Sequence, residues 1–116
     1  MKISYPASMT GSSNLNVTVP ATGYYTGSSI KIDGYVKKCV GGMIHGSNAL
    51  GVTCKIYLAI SFDGTNWNYF YKSADIVSGS VPSLVVETDG LPSYIAPVLY
   101  NASGSALSGS CWARAM

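Results

Sequence analysis

The clearest pattern along the chain is an alternation of apolar and mostly polar residues that begins at residue 52. The apolar positions are the even ones: Val52, Cys54, Ile56, Leu58, Ile60 and Phe62. A period of two is typical of a β-strand with one buried face, because successive side chains point to opposite sides of the sheet. We therefore expect these even positions to face a hydrophobic core.

A turn signal follows this strand directly. Asp63-Gly64 comes next, and the aromatic-rich run 67–71 lies a few residues further on. Asp-Gly between two such runs favours a tight hairpin turn, since glycine accepts the positive φ that the turn requires. The sequence therefore predicts a long central hairpin with its turn near residues 63–66.

Shorter apolar runs, bounded by Gly, Pro, Asn and Asp, predict five further strands. These strands are 15–19, 30–40 with a bulge at Gly34, 84–88, 94–100 and 110–115. Pro97 favours an edge position or a bulge for its strand, because proline cannot donate to a ladder. Residues 23–27 are predicted to be a turn-rich connection, and 41–48 a glycine-rich loop or a short edge strand.

No segment shows helical periodicity, and the tally of about seven strands is typical of an all-β fold. Short connections favour antiparallel pairing, so the sequence predicts an antiparallel β-sandwich of jelly-roll or immunoglobulin-like type. At 116 residues the chain is long enough for one domain with a single core. Residues 1–11 carry little pattern and are predicted to be an N-terminal arm, followed by a single sandwich domain over 12–116.

The chain carries few charges for its size. Charged residues make up 10% of it and hydrophobic residues 47%, whereas a typical soluble domain has about 25% charged residues. We therefore expect part of the surface to lie against another protein subunit, in a homo-oligomer or a many-copy assembly. The alternative is a monomer whose surface is Ser, Thr, Asn and Gly, which are plentiful here.

Charge and hydropathy disfavour two classes of partner. The net charge is +2 and the lysines are scattered, with Lys37-Lys38 as the only adjacent pair, so nucleic-acid binding is not expected. No apolar run approaches the length of a membrane span, so no membrane partner is expected. The first residues lack the apolar core of a signal peptide, which predicts synthesis in the cytoplasm or release without secretion.

The cysteines and the histidine give no clear site. Cys39, Cys54 and Cys111 have no C-x-x-C spacing, which argues against a zinc site and a disulfide framework and predicts buried thiols. One bridged pair stays open. His45 is the single histidine, and a Ser-His or Cys-His pair through it stays open, although no G-x-S-x-G elbow accompanies it.

The acidic residues give no catalytic pattern. Asp63 and Asp89 each precede a glycine, where turn formation explains them. Nothing selects a carboxylate pair of the glycosidase kind, and no D-x-D-x-D-G calcium loop occurs. The sequence therefore predicts no catalytic residue, cofactor or metal site.

Aromatic residues are the remaining candidates for function. Trp67, Tyr69 and Tyr71 alternate along the second hairpin strand, so we expect them to project from one face. Aromatic side chains exposed in this way stack on sugars or anchor protein interfaces. The candidate interface residues are Tyr5, Tyr24, Tyr25, Trp67, Tyr69 and Tyr71. The alternative is that Trp67 and its neighbours fill the sandwich core, with Phe70 on the opposite face.

The segment 60–67, Ile-Ser-Phe-Asp-Gly-Thr-Asn-Trp, resembles the S-x-D-G-x-x-W hairpin of many small β-sandwich proteins in tailed-phage virions. The ending is similar to such proteins too, with the run Asn-Ala-Ser-Gly-Ser-Ala at 101–106 before a last strand that carries Trp112. The same hairpin occurs in discoidin-like sugar- and lipid-binding domains. Those domains are longer and usually carry a signal peptide, and this chain departs from them on both counts.

The resemblance implies a non-enzymatic virion component, such as a capsid decoration (cement) protein that binds and stabilises the capsid surface. Its partner would be the major capsid protein or another virion protein, and its location the virion, after synthesis in the host cytoplasm. The alternative is a carbohydrate-binding or host-recognition module that uses an exposed aromatic face and takes a glycan as partner. Low charge and the N-terminal arm favour the first hypothesis.

Overall fold

The computed structural model describes residues 10–35, 37–45, 54–76, 83–85 and 92–116, and these ranges form nine strands and no helix. The strands are β1 (Thr10–Val19), β2 (Gly23–Thr26), β3 (Ile30–Lys31), β4 (Lys38–Ile44), β5 (Cys54–Ser61), β6 (Trp67–Ile76), β7 (Ser83–Val85), β8 (Tyr94–Asn101) and β9 (Leu107–Ala115). The expected all-β fold is confirmed, with more strands than predicted. β7 covers the start of the predicted strand 84–88, of which residues 86–88 lie outside the described ranges.

The strands form two antiparallel sheets. The first has the order β1-β9-β4-β7 and the second β2-β8-β5-β6, with β3 pairing the same edge of β8 as β2. Buried residues from both sheets form one cluster between them, including Val40 and Leu107 from the first sheet and Ile56 and Leu99 from the second. The predicted antiparallel sandwich is therefore confirmed.

The two sheets approach each other closely at Gly42 of β4. A Cβ at this position would lie 2.7 Å from Leu99 Cδ2 and 3.0 Å from Ile56 Cδ1. Protein interiors are packed too densely to yield that much space without strain. The position therefore needs glycine, because side chains of the opposite sheet occupy the room that its own side chain would take.

β5 keeps the predicted alternation over most of its length. The residues that face the core as predicted are Cys54, Ile56, Leu58 and Ile60. Val52 lies outside the described residues. Phe62 does not face the core and is 63% exposed, because β5 ends at Ser61 and Phe62 belongs to the following turn.

The predicted hairpin joins β5 and β6, and its turn has the expected geometry. Gly64 has a φ of +80°. The Asp63 carboxylate accepts the backbone N–H groups of Asn66 and Thr65, each at 2.8 Å. These hydrogen bonds hold the pKa of Asp63 well below its usual range, because they stabilise the charged carboxylate.

β1 differs from the prediction at its start and in its middle. It begins at Thr10, so the last two residues of the predicted arm belong to the strand, and residues 1–9 lie outside the described ranges. The pairing with β9 shifts register at Leu15 and Asn16, and Asn16 has a φ of +52°. The shift turns Leu15 outward, where it is 68% exposed, whereas Val17 packs against the core.

The segment between β1 and β5 differs most from the prediction. Most of the predicted turn 23–27 forms β2, and 30–40 is two strands separated by a turn at Gly34, whose φ is +85°. The glycine-rich segment predicted as a loop or edge strand contributes to β4, which lies between β9 and β7. A Cβ on Gly41 would lie 2.6 Å from the Trp112 indole, so close packing explains its glycines.

Pro97 lies in β8, an interior strand, and not at a sheet edge. Its carbonyl accepts the N–H of Gly27 at 2.8 Å. In an antiparallel strand the N–H and C=O of one residue point to the same side. The nitrogen of Pro97 therefore points at the break between β2 and β3, where the ladder needs no donor.

The buried side chain of Asn101 closes one end of the sandwich. Its amide nitrogen donates to the carbonyls of Val19, Pro20 and Ser105, and its Oδ1 accepts the N–H of Ser103. A buried polar side chain without partners would destabilise the fold. These hydrogen bonds instead join the end of β1 to the connection between β8 and β9.

Candidate functional site

The outer side of the second sheet is covered with aromatic side chains. Because side chains alternate along a strand, the residues between the core positions of β2, β5, β6 and β8 point outward. Among the described residues, five rings that pack against another ring lie there, with three smaller side chains between them. They are Tyr24, Tyr57, Trp67, Tyr69 and Tyr100, with Ala59, Ala96 and Val98. We call this surface the aromatic face.

Three tyrosines cluster at one end of the aromatic face. Tyr24 and Tyr100 lie opposite each other in the ladder between β2 and β8, and their ring centroids are 4.8 Å apart at an angle of 37°. The rings of Tyr24 and Tyr57 are 6.2 Å apart at 50°, within the range of favourable aromatic pairs. Burial, followed by the proximity of Tyr24, raises the pKa of Tyr57, so its phenol stays neutral at neutral pH.

A second aromatic pair lies on the edge strand β6. The rings of Trp67 and Tyr69 stack with their centroids 6.2 Å apart and an interplanar angle of 27°. Trp67 packs against the small cluster of Ala59, Ala96 and Val98. Tyr69 is 41% exposed. The pair is thus supported from below by the sheet and presents the Tyr69 ring to solvent.

A shallow depression of about 210 Å³ lies between the two aromatic groups. Its lining residues are Tyr24, Thr26, Tyr69 and Val98. Val98 is buried and shorter than the rings around it, so it forms the floor. The lining is mostly apolar, and the depression therefore suits an apolar group better than a charged one.

Lys55 and Asp75 are the charged residues at the outward positions of β2, β5, β6 and β8. They lie opposite each other in the ladder between β5 and β6, and Lys55 Nζ donates to Asp75 Oδ1 at 2.8 Å. This hydrogen bond raises the pKa of Lys55. The pair balances its own charge, so the aromatic face is electrically neutral.

The structure brings together three of the candidate interface residues. Tyr24, Trp67 and Tyr69 lie on the aromatic face, whereas Tyr25 packs against the core from the other side of β2. Tyr5 lies outside the described residues. The alternative that Trp67 fills the sandwich core is wrong, because its indole contacts the outer cluster and not the residues between the sheets.

The expected single face for the aromatic residues of β6 is wrong, because Tyr71 packs against the core. The ladder between β5 and β6 shifts register between the pairs Leu58–Lys72 and Ile60–Asn68. β6 therefore has extra residues between these pairs, and the alternation of its side chains is broken there. A simple period of two, counted from the sequence, does not include this irregularity.

Sequence reasoning missed Tyr57 and Tyr100. Tyr57 occupies an odd position of β5, so its outward direction follows from the same alternation that buries Ile56. Tyr100 lies at the end of β8. Both meet Tyr24 only because β8 lies between β2 and β5, and that strand order has no local signal in the sequence.

A hydrogen-bonded serine–histidine pair lies on the outer side of the first sheet. His45 Nε2 and Ser110 Oγ are 2.7 Å apart, and Ser110 Oγ also accepts the N–H of Asn16 at 3.0 Å. Ser110 is only 3% exposed. The Ser-His pair that the sequence left open therefore links β4 and β9 to the irregular part of β1, and its hydroxyl is not open to a substrate.

The cysteines are free thiols, so the bridged pair that the sequence left open is not formed. Cys54 and Cys111 are buried and Cys39 is half-buried. Burial raises the pKa of Cys111 to about 11, which makes it a poor nucleophile. Among the residues that the structure describes, no group of three or more His, Cys, Asp or Glu side chains could hold a metal ion.

Comparisons of the chain with protein-family models, with curated protein sequences and with solved structures gave no match. In the described ranges, no helix is long and apolar enough to cross a membrane.

Proposed function

We propose that the protein is a non-enzymatic structural component of a phage virion that binds the capsid surface, with the aromatic face as its contact surface. The observation that carries this proposal is a cluster of partly exposed aromatic rings on a neutral sheet face. Partly exposed aromatic rings gathered on one face are candidates for a contact site, because apolar patches on soluble proteins often bind a partner. Tyrosine and tryptophan are also frequent anchors of protein interfaces.

The chemistry of the aromatic face favours a protein partner. The depression between Tyr24 and Tyr69 is lined mostly by apolar atoms, and an aliphatic or aromatic side chain of a capsid protein would fill it. The charges of Lys55 and Asp75 are already paired within the chain. We therefore expect the contact to rely on ring packing and neutral hydrogen bonds and to depend little on salt.

The virion part of the proposal comes from the resemblance of the hairpin 60–67. Within the S-x-D-G-x-x-W pattern, Ser61, Asp63 and Gly64 build the turn, whereas Trp67 lies on the aromatic face. The pattern thus joins the turn-forming residues to one ring of the proposed contact surface. This supports grouping the chain with the phage proteins that share the hairpin.

The stacked rings of Trp67 and Tyr69 favour a second candidate function, a carbohydrate-binding or host-recognition module. Aromatic faces pack against the carbon–hydrogen surfaces of sugars, and the hydroxyl of Thr26 beside the depression supplies a hydrogen-bonding group. This function would direct the aromatic face toward host glycans. Attachment to the virion would then use another surface of the chain.

Co-sedimentation with particles of the encoding phage tests the proposal. Purified chain is mixed with particles that lack it, and the bound fraction is measured at low and high salt. We expect binding that persists at high salt. The double variant Tyr24→Ser/Tyr69→Ser should stay folded, with a melting temperature lowered only by the loss of its ring pairs. It should bind at least about tenfold more weakly, because it lacks two anchor rings.

The matched control is Leu15→Ser/Phe62→Ser, which removes two exposed apolar side chains outside the aromatic face. This variant should bind particles as the wild type does. A chain that ignores particles and binds a defined glycan on an array would replace the proposed function with the second candidate.

A further inference from the structure

We propose that the outer side of the first sheet binds an acidic oligosaccharide, with Trp112 packing against a sugar ring and Arg114 pairing with a uronate carboxylate. The inference goes beyond the proposed function, because it uses neither the aromatic face nor any of its residues. The aromatic face is the outer side of the second sheet, so the two surfaces lie on opposite sides of the sandwich. A chain held on a particle by the aromatic face would present Trp112 and Arg114 to solution.

Trp112 and Arg114 occupy outward positions of the same strand, β9. Their neighbours Cys111, Ala113 and Ala115 belong to the core. Because side chains alternate along a strand, the two residues between them point away from the core. Both are half-buried. β9 lies between β1 and β4, so each side chain has a neighbouring strand to lie across.

The Trp112 indole lies across β4. Its partner in that ladder is Gly41, and a Cβ on Gly41 would lie 2.6 Å from the indole atoms Cε2, Cζ2 and Nε1. Contact with atoms of both fused rings means that the indole leans over the glycine and does not stand upright from the sheet. The side of the indole that does not cover Gly41 offers an aromatic face, and such faces pack against the carbon–hydrogen surfaces of sugars.

The Arg114 side chain lies across β1, in the opposite direction. Its partner in that ladder is Gly11, and a Cβ there would lie 2.7 Å from Arg114 Cδ and 2.8 Å from Nη1. Nη1 donates to the carbonyls of Ser12 at 2.7 Å and Ala113 at 2.9 Å, and Nη2 donates to Ser13 Oγ at 2.9 Å. Hydrogen bonds to neutral groups therefore hold the guanidinium in place.

The positive charge of Arg114 has no counter-charge among the residues that the structure describes. Of the acidic residues in those ranges, Asp33 and Asp75 pair with lysines, and Asp63 accepts N–H groups of its own turn. The guanidinium has more N–H groups than its hydrogen bonds use, and Nε–H and the second Nη2–H remain. A carboxylate suits them, because its oxygens accept two N–H groups of one guanidinium side by side.

The separation of the two side chains favours an oligosaccharide over a single sugar. Trp112 leans toward β4 and Arg114 toward β1, and two strand spacings place those strands roughly 9.6 Å apart. One sugar ring does not span this distance, so the packed ring and the carboxylate belong to neighbouring units. Ser13 is exposed and lies opposite Trp112 in the ladder, where its hydroxyl supplies a hydrogen-bonding group between the two units.

The position of β9 favours a sugar over an acidic peptide. An extended peptide gains much of its affinity from main-chain hydrogen bonds to the edge of a sheet. β9 is an interior strand whose main chain pairs with β1 on one side and β4 on the other. A sugar needs no strand edge, because an aromatic face and a few polar side chains are enough to hold it.

Calorimetric titration of the full chain with uronate tetramers tests the site. The panel contains the tetramers of galacturonate, glucuronate and mannuronate, and the methyl ester of each is its neutral control. We expect at least one tetramer to bind, and its ester, which keeps the rings but loses the charge, to bind at least about tenfold more weakly. High salt should weaken binding of the acid form. A chain that binds none of these tetramers, or binds acid and ester equally, would overturn the proposal.

The variants Arg114→Gln and Trp112→Ala separate the two contacts. Each should bind the tetramer at least about tenfold more weakly, and only Arg114→Gln should lose the preference for the acid over the ester. Melting curves report whether each variant is folded. Arg114→Gln carries the test if Trp112→Ala unfolds. A folded Arg114→Gln that binds as tightly as the wild type contradicts the proposal.

Lys31→Gln is the matched control for charge. It removes the same positive charge as Arg114→Gln, but Lys31 belongs to the second sheet, where its Nζ lies 3.9 Å from Asp33 Oδ2. This variant should bind the tetramer as the wild type does. An equal loss in the two variants would mean a general attraction between a basic chain and polyanions, and would refute the site.

The site and the proposed function fail in different ways. A chain that binds uronates through Arg114 but ignores particles supports the site and contradicts the virion function, and a chain that binds particles and no uronate does the reverse. A tetramer that Tyr24→Ser/Tyr69→Ser no longer binds, and Arg114→Gln still binds, would assign the sugar to the aromatic face and overturn the proposal. A glutamate hexapeptide that binds more tightly than every uronate would overturn it in favour of an acidic peptide.

Discussion

Single side chains fix the conformation of the turn between β5 and β6. The hydroxyl of Ser61 donates to the carbonyl of Asn66 at 2.7 Å and accepts the N–H of Gly64 at 2.8 Å. The Asp63 carboxylate accepts further N–H groups of the turn. Side-chain partners of this kind satisfy donors that a tight turn leaves outside the ladder. The turn thereby also sets where β6 begins and where Trp67 lies.

We expect Gly64→Ala to lower the free energy of unfolding by about 1 kcal/mol or more. Its φ is +80°, and a Cβ would lie 3.2 Å from the Tyr94 ring, so backbone strain and crowding act together. Gly34→Ala isolates the strain, because this position has a φ of +85° and no atom within 4 Å.

Gly104→Ala is the matched control for both glycine variants. Gly104 has no neighbour within 4 Å and is not among the glycines with positive φ, so its replacement should change stability by less than about 0.5 kcal/mol. Urea unfolding of the three variants measures the differences. A loss at Gly104 as large as that at Gly64 would contradict this explanation of the turn.

The lowered pKa of Asp63 predicts that the protein loses stability in acid. Hydrogen bonds from the backbone of Asn66 and Thr65 depress its pKa in the folded state, whereas the unfolded value is about 3.9. A carboxyl group of this kind stabilises the fold above its unfolded pKa and loses that contribution as the pH falls toward its folded pKa. The melting temperature of the wild type should therefore exceed that of Asp63→Asn at neutral pH.

The difference in melting temperature between the wild type and Asp63→Asn should become smaller as the pH falls below about 4. Melting curves of both proteins across this pH range measure it. A difference that stays constant would mean that the charge of Asp63 does not stabilise the turn.

Among the elements, β5 is the one that the sequence predicts best, and β4 is predicted least well. The buried and outward positions of β5 follow from neighbouring residues alone. The glycines of β4 suggest a loop or a short edge strand, yet Gly41 and Gly42 lie in an interior strand. Trp112 and Leu99 occupy the space that their side chains would take. Contacts between residues so far apart in the chain leave no local pattern.

The aromatic face was predicted in part for the same reason. Tyr24, Trp67 and Tyr69 are among the candidates from the sequence. The alternation assigns Tyr71 to the wrong side, because the register shift in β6 depends on how β6 pairs with β5. Predicting that Tyr57 lies on the aromatic face requires the strand order as well as the alternation along β5. The sequence therefore predicts that aromatic residues form a contact surface, but it does not predict which of them lie on it.

Ile56→Ala and Leu58→Ala test the core face of β5. Both residues are fully buried, so each substitution should lower the free energy of unfolding by about 2–5 kcal/mol. Phe62→Ala is the control from the same alternating series, and its exposed ring should change stability by less than about 0.5 kcal/mol. Chemical denaturation compares them. An equal loss at Phe62 would mean that the strand continues past Ser61.

Across the whole molecule, aliphatic and aromatic residues occupy different places. The buried cluster between the sheets is formed by Ile, Val, Leu, Ala and Cys, and the aromatic residues that touch it, Tyr25, Tyr35 and Tyr71, are only partly buried. The other described rings that pack together do so on the aromatic face. The outer side of the second sheet thus gathers paired aromatic rings, whereas Leu15, Phe62 and Met116 expose single apolar side chains elsewhere.

Hydroxyl-radical footprinting of the chain, free in dilute solution and bound to particles, tests most directly whether the aromatic face is the contact surface. Tyr24 and Tyr69 are exposed in the free chain and should react there. We expect both to be protected on the particle, while Phe62 and Leu15, which lie outside the aromatic face, keep their reactivity. Tyr24 and Tyr69 that react equally in both states would contradict the proposed contact surface.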